Sequence, residues 1–349
     1  MYSQSLPSQN SHHMTLSPEH QAADDAFCCG ASLNPADFAS RIRCFGLDLL
    51  QIDQGKFRAK GSQARIGKVL LGCVEFERAT VQTWTSPARS LTIAAKTTDA
   101  TVRWRGLELQ SSDVLIIGPG SEVELVSMAG AGIAAVTFLD VTAQDAANLH
   151  GLHASGNKAV LVRPRRPPAV NDLLMVIITL LSCASIHPWV AGEAEWAGLG
   201  RNDLLNLAVS AISGAVGIDW RHNGIRRPRA LELAVSAMRS ATSEDHLNVP
   251  ALCRMVGVSE RTLHTAFVER YTVSPARFMK AYRLNRLRQD LAQVASQRLS
   301  ITEIANNLGF HHLGQLARDY RTWFGELPSA TYHQSIGQTD TDAPHTMAF

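Results

Sequence analysis

The chain has 349 residues, of which 45% are apolar and 18% charged, so it is long enough for two separate cores and too apolar to be mainly disordered. Its net charge of +2 is the sum of +6 in residues 226–335 and −4 in the rest of the chain. The basic segment would attract a polyanion. Its six cysteines include no C-x-x-C pair, which excludes a zinc ribbon and a dithiol redox motif.

The N-terminal part predicts a tail followed by a β domain. Residues 1–25 are rich in Ser, Gln, His and Pro and lack the pattern of a signal peptide, so a loose tail and a cytoplasmic location are expected. Over residues 26–145, short β-branched runs punctuated by Gly and Pro predict many strands in a small barrel or jelly roll. Arg105-Gly106 and Gly118-Pro119-Gly120 are each expected to turn a hairpin.

Aromatic and basic side chains of this β domain are the candidate effector contacts, namely Trp84, Arg103 and Trp104. Strand alternation places Arg103 on the face opposite Trp104. An inward arginine would favour an anionic effector, whereas an inward tryptophan is more commonly core. No histidine occurs between His20 and His150, so a histidine-based metal centre is not expected in the barrel. No cofactor is expected for the chain.

The sequence pattern of residues 146–218 is typical of helices. Asn171 is expected to cap a helix containing LLMVIITLLSCASI, an apolar run too short to span a bilayer and expected to be buried. A second helix carries an apolar stripe that includes Leu204, Leu205 and Ala208. The two helices are expected either to form a dimer surface or simply to cover the barrel. Residues 219–230, charged and containing Gly and Pro, predict a linker. Residues 336–349 are expected to be a second disordered tail.

Residues 231–335 contain an internal duplication, because RMVGVSERTLHTAFVERYTVSP resembles NNLGFHHLGQLARDYRTWFGELP. Each copy predicts a helix, a turn at Gly257 or Gly309, and a second helix. The intervening segment predicts a helix of about 20 residues from Pro275, roughly 30 Å long, close to the ~34 Å between successive major grooves. One polypeptide can therefore present two helices to the same side of a duplex.

The outward face of each second helix carries side chains suited to base edges, since arginine pairs with guanine and glutamine with adenine. The expected DNA contacts are Arg261, Thr262, His264 and Thr265 in the first copy, and His311, His312, Gly314, Gln315 and Arg318 in the second. His312 is expected to begin its helix, and Leu313 to face inward. The two adjacent histidines diverge by about 100° and lack an acidic or cysteine partner, so no metal site is expected there.

The segments ITEIANNLGF and FGELPS resemble the I-x-x-I-A-x-x-x-G-F and F-G-x-x-P-S patterns of AraC/XylS-type bacterial regulators, and residues 226–335 look like that family's double helix-turn-helix domain. The segment FHHLGQLARDYRTWFGELPS is also similar to the branch of this family that contains the ethanolamine-operon regulator. The resemblance implies a cupin-like N-terminal barrel that binds a small effector and helps dimerisation. In SSDVLIIGPGSEVEL, Ser112 replaces a cupin glycine, and Glu122 or Val123 stands where a metal cupin has histidine.

The leading hypothesis is therefore an α+β, two-domain transcription activator that responds to a small molecule. Its expected partners are double-stranded promoter DNA, RNA polymerase and a second copy of the chain, with no membrane association. The alternative is a ligand-independent regulator or repressor whose barrel only dimerises. An enzyme fused to a DNA-binding domain is not expected, because Cys73 lies in a strand pattern without a nucleophile elbow.

Overall fold

The computed structural model describes residues 26–32, 34–42, 45–141, 159–186, 194–218, 228–240, 247–293 and 299–341. The strands are β1 (Ala26–Ser32), β2 (Asp48–Gln51), β3 (Ala59–Ile66), β4 (Val69–Phe76), β5 (Thr80–Thr85), β6 (Leu91–Lys96), β7 (Val102–Trp104), β8 (Leu107–Glu108), β9 (Val114–Ile117), β10 (Glu122–Ser127), β11 (Ala131–Phe138), β12 (Ala159–Arg163) and β13 (Val216–Gly217). The helices are α1 (Pro35–Arg41), α2 (Pro167–Ile186), α3 (Ala194–Ile212), α4 (Pro228–Ser240), α5 (Val249–Val256), α6 (Glu260–Tyr271), α7 (Pro275–Ala292), α8 (Ile301–Asn307), α9 (Leu313–Phe324) and α10 (Pro328–Thr341).

The strands form two antiparallel sheets. The larger has the order β1-β3-β4-β11-β6-β9-β12-β13, and the smaller has the order β2-β5-β10-β7-β8. Alternation along β9 shows how they face one another: Leu115 and Ile117 join the core shared by both sheets, whereas Ile116 packs on the opposite side. The two-sheet arrangement confirms the expected α+β class with a β-rich N-terminal domain.

Helices α2 and α3 cover the outer face of the larger sheet. Leu173, Ile177 and Leu181 of α2 are at most 5% exposed and pack with the sheet residues Val114 and Ile116. This helix is also long and apolar enough, by length and composition, to cross a membrane, with 28% of the relevant window buried. The expectation of a buried helix was wrong for the opposite side, where Met175 remains 63% exposed. The expectation of a segment too short to span a bilayer was also wrong, because residues 167–172 lengthen the helix before the apolar run.

The expected start of α2 was wrong. Asn171 lies inside the helix, which begins four residues earlier at Pro167. Proline fits the first turn of a helix, where its missing N–H would have no intrahelical acceptor. A polar residue beside an apolar run is therefore a weaker boundary signal here than the proline pair before it.

Two further differences and one confirmed turn concern the β domain. Strand β12 lies within the region expected to be helical, and it pairs with β9 in the larger sheet. Arg105-Gly106 does turn the β7–β8 hairpin, with φ angles of 51° and 85°. The Gly118-Pro119-Gly120 turn makes no hairpin, because β9 pairs with β6 and β12 while β10 pairs with β5 and β7. It carries the chain from one sheet to the other.

The described residues from Pro228 to Thr341 form helices joined by short turns. Helix α10 continues six residues beyond Ser335, into the segment expected to be a disordered tail. The expected tail at 1–25, the linker residues 219–227 and the last residues, 342–349, lie outside the described part of the chain.

The outer face of the smaller sheet packs against the helical domain. Ile52, Val81 and Val126 share one buried cluster with Phe278 and Leu284 of α7. The described chain is therefore a stack of layers: covering helices, the larger sheet, the smaller sheet and the helical domain.

Candidate nucleic-acid interface

The first helix-turn-helix unit consists of α5 and α6. Local sequence sets where each helix begins and where the chain turns between them. Asn248 caps α5 by accepting from the Ala251 amide at 2.9 Å. Gly257 ends that helix with a φ of 67°, a left-handed conformation that costs little only for glycine. Ser259 then caps α6 by accepting from the Thr262 amide at 3.2 Å. These caps set the helix boundaries, and the predicted turn at Gly257 is confirmed.

The face of α6 that is predicted to contact DNA bases, its reading face, points to solvent. Arg261, His264 and Thr265 are exposed, while Leu263 and Phe267 on the other side are at most 1% exposed. The hydroxyl of Thr265 donates to the carbonyl oxygen of Arg261 at 2.9 Å, so its lone pairs remain directed outward as acceptors. Thr262, also an expected contact, is half-buried and shares a 2.8 Å hydrogen bond with the Ser259 hydroxyl. Arg261 and His264 are thus the longest outward donors of this face.

The second unit consists of α8 and α9. Ser300 and Glu303 form a reciprocal capping box at the start of α8, and Gly309, with a φ of 76°, permits the turn. His312 occupies the N-cap position of α9 without a side-chain cap bond, as expected from the sequence. Leu313 is 41% exposed, so its predicted inward packing is wrong. It shares the helix face of the buried Tyr320, but at the first residue of α9 that face is not yet covered.

The reading face of α9 has one side chain held in place. The Gln315 amide nitrogen donates to Asp319 at 3.1 Å, and Lys280 of α7 forms a 2.8 Å ion pair with the same carboxylate. One N–H and the carbonyl oxygen of Gln315 are not used by this bond, and these are the two groups that a glutamine uses in a bidentate contact to adenine. Arg318 is exposed beside it, and Gly314 has no atom within 4 Å of the position a Cβ would occupy. His311 and His312 are exposed at the entrance of the helix.

Helix α7 links the two units. Its 18 residues span about 27 Å at 1.5 Å per residue, near the roughly 30 Å predicted. Two of its basic residues, Arg277 and Arg286, are exposed. Arg288 differs: it is 6% exposed, forms a 2.9 Å ion pair with Glu326 and stacks over Phe324. Its charge therefore fastens α7 to the end of α9 and is withdrawn from DNA.

The C-terminal end of α6 is bonded to the smaller sheet. Glu124 of β10 forms a 2.6 Å ion pair with Arg270 and accepts a 3.2 Å hydrogen bond from the Tyr271 hydroxyl. Burial, reinforced by the negative charge of Glu124, raises the pKa of Tyr271 far above its ordinary value, so this hydroxyl stays a donor. Arg103 of β7 also donates to the Glu269 carbonyl oxygen, at 3.4 Å.

The C-terminal end of α9 is bonded to the segment after β2. The Trp323 carbonyl oxygen accepts from the Gly55 amide at 2.9 Å and from the Gln51 side chain at 3.1 Å. Asn285 of α7 donates to the Gln51 carbonyl oxygen at 2.9 Å and accepts from its amide at 3.2 Å. Both reading helices are therefore fixed to the β domain by the ends opposite their N-termini. Sequence reasoning missed these contacts, because polar residues that pair across 234 positions leave no periodic signal.

The three candidate effector residues do not converge on one cavity. Trp104 is fully buried between the sheets, whereas Arg103 extends from the outer face towards the helical domain. Trp84 is half-buried and lines a cleft between the smaller sheet and α4. Their common placement on or beside the smaller sheet follows from β5, β10 and β7 being neighbours.

Comparison with known proteins adds a finding on the C-terminal region. Residues 252–334 match a family model described as a helix-turn-helix domain. The chain is 35% identical over 102 residues to a probable thc operon regulatory protein of Rhodococcus erythropolis, covering 29% of this chain and 30% of that protein. It is 35% identical over 89 residues to the XylDLEGF operon transcriptional activator of Pseudomonas putida, covering 26% and 28%. The matches span less than a third of each relative's length.

Two solved structures are similar over most of their length. The AraC-like transcriptional activator CuxR is 14% identical with a TM-score of 0.40, and the similarity covers 81% of this chain and 99% of that one. ToxT from Vibrio cholerae O395 is 11% identical with a TM-score of 0.28, covering 84% and 99%.

Proposed function

We propose that this chain, whose residues 252–334 form an AraC/XylS-type helix-turn-helix domain, is a transcription regulator that binds promoter DNA through both reading helices. The observation that carries the proposal is the pair of capped helix-turn-helix units whose polar faces are exposed while their apolar faces are buried. In this role Arg261, His264, Gln315 and Arg318 contact base edges. Thr262, Thr265, His311, His312 and the backbone at Gly314 complete the contact surface.

The N-terminal domain is proposed to be the effector-sensing part of an activator in the cytoplasm. The contacts at Glu124 and Gln51 support this, because a ligand that changed the β domain would act directly on the ends of both reading helices. Such a ligand can shift DNA binding only by binding one arrangement of the domains more tightly than another. RNA polymerase and a second copy of the chain are the proposed protein partners, with the exposed side of α2 as the dimer surface.

One observation favours the alternative, a ligand-independent regulator or repressor whose β domain only dimerises. The space between the sheets is occupied by buried side chains in its described part, among them Trp104, Ile117 and Leu125. A closely packed inter-sheet core leaves a small molecule less room inside the sandwich. Under this alternative, DNA affinity would be the same with and without every metabolite tested.

Selection of binding sites from random double-stranded DNA by the full chain tests the DNA-binding proposal. We expect an enriched site with two conserved parts about one helical turn, or 10–10.5 base pairs, apart. Arg318→Ala should weaken binding to this site by about 1–3 kcal/mol and relax the preference at one or two base pairs. Arg65→Ala, which removes an exposed arginine of β3, is the matched control and should leave binding unchanged. Absence of any enriched sequence would contradict the proposal.

A further inference from the structure

A cleft lies between the smaller sheet and the helical domain, on the side away from the covering helices. Its volume is about 520 Å³, within the range of sites that take small molecules. One wall comes from β5, β10 and the β7–β8 turn, and the other from α4 and the end of α6. The cleft therefore exists only while the two domains are docked.

The two walls differ in charge. The sheet wall carries three carboxylates, Asp48, Glu122 and Glu124, with one arginine, Arg105. The helix wall carries two arginines, Arg239 and Arg270, with one carboxylate, Glu232. The cleft is thus negative on the sheet side and positive on the helix side.

One pair of these charges already joins the walls. Glu124 and Arg270 are 2.6 Å apart, with side chains only 18% and 16% exposed, so they neutralise each other at the inner end. Asp48, Glu122 and Arg239 are exposed at the rim. No ion pair within 4.0 Å joins these three to another side chain of the described residues. The rim therefore offers charge of both signs to a ligand.

We propose that this cleft binds a small zwitterion, a molecule with an ammonium group and a carboxylate at a fixed separation. The ammonium would lie against Glu122, and the carboxylate against the Arg239 guanidinium. Leu231 and Val235 of α4 line the helix wall and offer apolar surface to the connecting atoms. A purely anionic ligand would meet the carboxylates of the sheet wall, and a purely cationic ligand would meet the arginines, so each gains from only one wall.

Binding in the cleft would favour the docked arrangement, because both domains contribute contacts and the undocked chain has only half of them. The regulatory meaning of this effect rests on the proposed function, whereas zwitterion binding itself does not. A ligand here would also restrain the end of α6, since Arg270 and Tyr271 form part of the lining.

The test uses the full chain and a defined panel of probes. The probes are the 20 protein amino acids and unbranched ω-amino acids of about three to eight carbons, each compared with the amine and the carboxylate of the same chain length. Thermal unfolding and titration calorimetry measure binding. We expect at least one zwitterion to bind saturably and to raise the unfolding temperature. Its matched amine and matched carboxylate should each bind at least about tenfold more weakly.

Two single substitutions then locate the site. Glu122→Gln and Arg239→Gln each remove one charge from one wall at an exposed position, and each should weaken zwitterion binding about tenfold or more. Glu75→Gln removes an exposed carboxylate of β4 that does not line the cleft, and it should leave binding unchanged. The inference is overturned if no zwitterion binds, if singly charged probes bind equally well, or if both cleft variants bind like the native chain. Site-specific DNA binding by the unliganded chain would stand in each of those cases, so failure of the inference is distinguishable from failure of the proposed function.

Discussion

Replacing Asn285 by alanine should loosen the contact between the β domain and the helical domain. The Asn285 side chain is 5% exposed and takes the place of a neighbouring strand, because it bonds both the amide and the carbonyl oxygen of Gln51 on the edge strand β2. It also donates to the Ala281 carbonyl oxygen at 2.8 Å within its own helix. Alanine removes all of these bonds and preserves the helix.

The free-energy cost of this substitution depends on which hydrogen-bond partners remain for Gln51. The Gln51 carbonyl oxygen keeps a 3.4 Å hydrogen bond from the Trp323 indole, but the buried Gln51 amide is left with no acceptor from Asn285. A buried donor without its partner costs about 1–3 kcal/mol. At about 1.4 kcal/mol per factor of ten, opening of this contact should become roughly 5- to 150-fold more frequent.

Hydrogen exchange followed by mass spectrometry measures this opening peptide by peptide. Peptides covering residues 48–56 should exchange faster by that factor in Asn285→Ala, while peptides from the larger sheet should not change. Asn306→Ala, the same substitution at an exposed position of α8, is the control. Unchanged exchange at residues 48–56 would show that Asn285 does not hold the domains together in solution.

Other predictions concern the local chemistry. Burial raises the pKa of the Cys253 thiol, so iodoacetamide at pH 8 should alkylate it more slowly than the exposed Cys183, as measured by peptide mass spectrometry; equal rates would contradict the placement of Cys253. Hydrogen bonds from Ser300 lower the pKa of Glu303, so this capping contribution is full above the ordinary glutamate pKa and is lost as pH falls through the lowered value. Ser300→Ala should raise the Glu303 pKa part of the way towards its ordinary value, as followed by NMR titration, because the hydroxyl is lost and the backbone amide bond remains. A pKa unchanged by the substitution would refute the capping box. Gly257→Val should destabilise the helical domain by about 1–2 kcal/mol in urea unfolding, since valine resists a φ of 67°, and unchanged stability would contradict the left-handed turn.

The helical domain was largely predictable from sequence because its signals are local. Asn248, Ser259 and Ser274 each cap a helix through an amide two or three residues into that helix, so the caps and the following apolar stripe lie within one short window. The duplication strengthened this reading, since the same pattern occurs twice. Leu313 was misjudged because periodicity gives the direction of a side chain but not whether another element covers it.

The fold class of the β domain was predictable from the sequence, but the pairing of its strands was not. Strand composition and turn residues indicated many short strands, yet which strands pair depends on contacts between distant segments. Strand β12 illustrates this, because its partner β9 lies about 45 residues earlier and a stretch outside the described residues separates β12 from β11. The same reasoning missed helix α1, which Asn34 caps within a region of strand-like texture.

In the candidate site, too, the features set by local sequence were predictable and those set by contacts between helices were not. The exposed donors of α6 and α9 follow from helical periodicity once the buried faces are known. The bond from Gln315 to Asp319 spans one helical turn, so it was accessible to sequence reasoning, but the ion pair from Lys280 to Asp319 joins two helices and was not. The burial of Arg288 against Glu326 and Phe324 likewise depends on packing at the end of α9.

The most direct test of the account is a hydroxyl-radical footprint of the full chain on its selected site, repeated with Arg261→Ala and Arg318→Ala. We expect two protected patches on one side of the duplex, about one turn or 10–10.5 base pairs apart, with each variant losing sequence preference in a different patch. A single protected patch, or loss of preference at the same base pairs in both variants, would contradict the tandem reading of DNA by α6 and α9.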